Sequence, residues 1–123
     1  MAPVLGMFVA LFFAGMGLLG IFQPHSLVGQ FGIKLERPEA RAEVRAVYGG
    51  YGCAIGILLF LSNIEYFDPN VTRGIRLAMI VSLQGMASGR LIAAIMESKS
   101  FTLFPTVFYF VVEVSLATML YFA

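Results

Sequence analysis

Charge is what this sequence has least of. Charged residues make up 12% of its 123 residues, while hydrophobic residues make up 59%. Soluble domains carry roughly 25% charged residues. So few charges cannot cover so much apolar surface in water, so a water-soluble globule is excluded and lipid is the expected solvent. A net charge of +1 leaves no basic face, which excludes a nucleic-acid partner. One cysteine, Cys53, excludes internal disulfides, CxxC redox chemistry and cysteine-rich metal sites. The only histidine, His25, has no second ligand near it in sequence, so neither a metal site nor a cofactor is expected. Also missing are a glycine-rich phosphate loop, the spacing of a catalytic triad and an HExxH helix. No catalytic residue is nominated, and the sequence does not point to an enzyme.

Apolar length is what remains. Four segments are long enough to cross a bilayer, which takes roughly 20 residues. They run over about 2–22, 46–64, 73–96 and 101–122, within a single domain. The first lacks the basic start and small-residue cleavage site of a signal peptide and is expected to be retained. FDPN marks the turn between spans two and three, with Asn70 or Thr72 as the expected helix cap. A few polar residues around SKS join spans three and four as an antiparallel hairpin. The first connection, residues 23–44, is longer. Pro38 suits a first helical turn and Glu39 suits the positive end of the helix dipole. A short interfacial helix is therefore expected to run into span two without a break. Open sheet edges cannot sit in hydrocarbon. The predicted fold is all-α, an integral membrane four-helix transmembrane bundle. Lys34, Arg37, Arg41, Arg45 and Lys99 share one side against Arg73 and Arg76 on the other. The positive-inside rule then puts connections one and three in the cytoplasm.

Helical periodicity sorts the polar residues by face. Arg45, Tyr48, Gly49, Gly52 and Gly56 fall on one arc of span two. Its glycines read as a helix-packing surface, and span three has a second pair, Gly85 and Gly89. Arg90 lies on a different face of span three, and Glu113 shares a stripe of span four with Tyr109. A charge at the centre of a bilayer-spanning helix costs about 2.5–3.5 kcal/mol, so these two should face protein and pair. Side chains lean toward the N-terminus of their own helix, which makes Arg90 and Glu113 converge from different depths. An Arg90–Glu113 ion pair is predicted, with Tyr48, Tyr109 and Gln84 adding hydrogen bonds and Glu43 and Arg45 capping the cluster nearer the surface. Such a cluster is either a clasp that fixes helix order or a place that holds a ligand.

Three features also resemble a known family. Arg45-Ala46-x-Tyr48-Gly49-Gly50 heads span two, Gly89-Arg90-Leu91 lies late in span three, and Glu113 stands alone in span four. Together they look like domain-of-unknown-function family 4345, small bacterial membrane proteins similar in plan to the DoxX-like group. The resemblance implies four spans, a bacterial inner membrane, and importance for Arg45, Tyr48, Arg90 and Glu113. It implies no activity. The expected function is an accessory or ligand-binding bundle, its polar cluster holding a membrane lipid, an amphipathic small molecule or a partner subunit. Homo-oligomerisation or membership of a larger membrane complex stays open. The alternatives are a small proton-coupled transporter, a membrane enzyme resembling four-span glutathione transferases, and a purely structural subunit.

Overall fold

The computed structural model describes residues 2–123. Every regular element among them is helical. In chain order these are α1 (Ala2–Phe22), α2 (Pro24–Gly29), α3 (Pro38–Asn63), α4 (Pro69–Met96) and α5 (Leu103–Phe122), with one 3₁₀ turn at Ser98–Ser100. All but α2 are long and apolar enough to cross a bilayer, and at most 33% of any such span is buried by protein. Large side chains such as Phe8, Leu11, Ile57, Leu77, Ile92 and Val111 stay exposed. A protein of this length cannot keep such a surface in water, so these side chains face lipid.

Two compact units divide the chain: Gly6–Tyr66, and Phe67–Ala123 together with residues 2–5. In the first, the connection after α1 folds back on itself. Pro24, which has no N–H to lose, opens α2, a helix not anticipated from the sequence pattern. Gly32 takes a left-handed turn at φ 77°. Leu27, Val28 and Leu35 then bury against Val44, with Met16 and Ala40 at the edge. The segment Pro38–Val44 continues directly into the rest of α3. The join is a widened π turn over Arg45–Gly50, where Tyr51 N–H reaches back to Ala46 O.

In the second unit, α4 and α5 pack on each other as a hairpin. α4 starts earlier than the sequence pattern implied, and its cap is neither Asn70 nor Thr72. Asp68 fills that role, its Oδ1 accepting from Asn70 N–H at 2.7 Å. The physical reason is Pro69. Proline at the first helical position has a suitable φ and no orphan N–H, so the cap is the residue just before it. α5 starts later than expected, because Thr102 is extended and Phe104 is non-helical. Val107 N–H still reaches Thr102 O at 2.9 Å, so the first turn is wide and kinked.

Candidate functional site

In the second unit the buried stripe of α4 is Met79, Leu83 and Ala87, and Arg90 continues it one turn further. On α5 the buried stripe is Glu113, Leu116, Ala117 and Leu120. The antiparallel hairpin therefore brings the last residue of one stripe beside the first of the other. Arg90 Nε donates to Glu113 Oε1 at 2.8 Å, and Arg90 Nη2 donates to Oε2 at 2.9 Å. Two parallel charge-assisted bonds hold the guanidinium and carboxylate coplanar, the strongest ion-pair geometry available to side chains. Tyr109, one turn before Glu113, puts its ring 5.6 Å from Arg90 Cζ, within cation–π range. Phe104 and Phe108 pack their rings near Tyr109 at centroid distances of 6.3 and 5.1 Å. The kinked start of α5 thus builds an aromatic wall beside the guanidinium.

The pair is unevenly covered. The Glu113 side chain is 5% exposed and the Arg90 side chain 24%. What reaches the surroundings is therefore part of the arginine side chain, although the pair as a whole is neutral. A removed partner would leave an uncompensated buried charge, which is far more costly than the pair itself.

Arg45, Glu43 and Tyr48 belong to the first unit. Arg45 Nε donates to Ile21 O at 2.9 Å. The last carbonyls of α1 lack helical partners, and a cation at a helix C-terminus satisfies them and matches the dipole. This role was not foreseen from the sequence. The signal was there, in an arginine at the head of one helix and a preceding helix that ends without a basic residue or a glycine cap. Glu43 and Tyr48 are exposed.

The glycines divide into two groups. A Cβ on Gly52 would stand 2.7 Å from Gly17 Cα, one on Gly20 2.7 Å from Gly49 N, and one on Gly56 2.8 Å from Ala14 N. Real Cβ atoms do not approach that closely, so α1 and α3 meet backbone to backbone only because these positions are glycine. Gly85 and Gly89 take no part in packing within the second unit. A Cβ at either would meet nothing within 4 Å. They lie on the arc of α4 away from the buried Met79, Leu83 and Ala87.

Four membrane-length helices and a charged pair sealed between two of them define an integral membrane protein. The chain belongs to the family described as a domain of unknown function (DUF4345), whose model matches residues 1–123, the whole chain. No curated protein and no solved structure matches it.

Proposed function

We propose that this is a small ligand-holding or accessory protein of the bacterial inner membrane, with connections one and three on the cytoplasmic side. The observation that carries this reading is the uneven cover of the Arg90–Glu113 pair. Its exposed member is the arginine, so it suits an anionic or electron-rich headgroup: a membrane lipid, an amphipathic small molecule, or a polar group of a partner subunit. Tyr109 supports the guanidinium from one side, and Glu113 keeps it from needing a counter-ion when no ligand is bound. A carboxylate engaged at both oxygens is a poor proton carrier, which places proton-coupled transport second.

Native mass spectrometry of the purified protein tests this with two probes of equal tail length, dioleoylphosphatidylglycerol and dioleoylglycerol. Retention of the anionic lipid should exceed that of the neutral one. It should fall roughly tenfold in the double variant Arg90→Gln/Glu113→Gln, which keeps the volumes and removes both charges. Equal retention of the two lipids, or an unchanged profile in the double variant, would remove this reading.

A further inference from the structure

A second feature of the α4–α5 hairpin lies outside the ion pair. A groove of about 640 Å³ runs along one side of it, lined on α4 by Ile80, Gln84, Ser88 and Leu91 and on α5 by residues including Phe110 and Val114. From Ile80 to Leu91 it extends roughly 16 Å along the helix. Among the described residues, no charged side chain lines it. Its volume and mostly apolar walls, with a few polar groups, match the usual form of a small-molecule site.

The polar groups say what kind of molecule. A hydroxyl on a helix can be satisfied by the turn before it, as when Ser62 donates to Leu58 O, Ser82 to Ala78 O, and Thr118 to Val114 O. Gln84 differs. Its side-chain amide makes no hydrogen bond among the described residues, and neither does the Ser88 hydroxyl one turn on. Both are exposed at the groove. Gln84 sits near the middle of the 28-residue α4, roughly 18 Å along the axis from its nearer end. No water competes for an amide at that depth, so an occupant that offers it a partner gains a hydrogen bond that an apolar occupant does not.

This selects among occupants. An alkyl chain offers no partner to the amide. A phospholipid carries its polar head at the interface, roughly 15 Å from the middle of the hydrocarbon. An ionised head drawn down to Gln84 would be costly in turn. The backbone of a second transmembrane helix has its N–H and C=O groups already paired, so only a polar side chain of that helix could serve the amide. We infer that the groove binds an uncharged, lipid-soluble amphipath whose carbonyl or hydroxyl sits near mid-membrane, hydrogen-bonded to Gln84 and Ser88, with its apolar tail along Phe110 and Val114. This site is separate from Arg90–Glu113 and does not depend on a ligand binding there.

The test uses the full chain in liposomes and 4-decylbenzophenone, an uncharged ketone that crosslinks on illumination where it binds. Labelled peptides should map to the groove walls around Leu91 and Phe110. Dodecan-1-ol should compete and dodecane should not. Gln84→Leu, which only makes the span more apolar and so preserves insertion, should lower saturable labelling about tenfold, the loss expected for one or two buried hydrogen bonds. Ser88→Ala should lower it less, and Arg90→Gln/Glu113→Gln should leave it unchanged. Three outcomes overturn the proposal: unchanged labelling in Gln84→Leu, equal competition by dodecane, or Gln84→Cys chains that couple to one another through that cysteine. The last would make the occupant a second copy of this chain.

Discussion

In Gly6–Tyr66, α1 and α3 meet through glycines, at separations that leave no room for a single Cβ. In Phe67–Ala123, α4 and α5 pack on each other, Leu83, Ala87, Leu116 and Leu120 are buried, and an ion pair joins the two helices. Lipid tails are as apolar as leucine, so burying leucine against leucine drives little association between helices in a bilayer. The two units show the two remedies. One gains dispersion contacts by bringing backbones together, and the other gains electrostatics in a low dielectric. They should also fail differently. Close packing has no tolerance for added volume. A buried pair tolerates the loss of both partners far better than the loss of one.

Perturbing each unit separately tests that difference. The chain has no tryptophan, so unfolding in bicelles is best followed by far-UV circular dichroism. Glu113→Ala should have the largest effect, a destabilisation of about 3 kcal/mol, because Arg90 is left without its counter-charge. Arg90→Leu/Glu113→Leu should recover most of that loss, and a double variant as unstable as the single one would refute the ion-pair account. Gly52→Val should cost about 2 kcal/mol by forcing α1 and α3 apart. If it is neutral, the close glycine contact is not what joins them. Arg45→Gln should cost about 1 kcal/mol, since it weakens one charge-assisted bond at an exposed helix end. Gly85→Ala is the counter-example, with open space at its Cβ position. It should stabilise α4 by about 0.5 kcal/mol through helix propensity alone. A loss there would mean that another molecule packs on that face.

Much of this was legible one-dimensionally because membrane helices satisfy their own backbone. The number of membrane-length spans followed from apolar length alone. The Arg90–Glu113 pair followed from depth, cost and the direction in which side chains lean. The Gly49, Gly52 and Gly56 arc followed from spacing by the same logic. What failed to follow was local or relational. Asp68 rather than Asn70 or Thr72 caps α4 because Pro69 shifts the boundary, a contest between two good caps that spacing does not decide. Gly85 and Gly89 have the same GxxxG spacing as Gly52 and Gly56, yet only the second pair meets a neighbour within its own unit. Spacing reports that a face is smooth and says nothing about what lies opposite.

The sequence by itself determined the solvent, the helical class, the number of membrane-length segments and the need for Arg90 and Glu113 to find partners. These are one-body consequences of hydrocarbon, which penalises each unpaired polar group wherever the chain goes. Tertiary structure alone decided that Arg45 serves the end of α1, that Gly17 receives Gly52, and that Gln84 and Ser88 open onto a groove. Those outcomes depend on which faces two helices turn toward each other, and no residue carries that information alone.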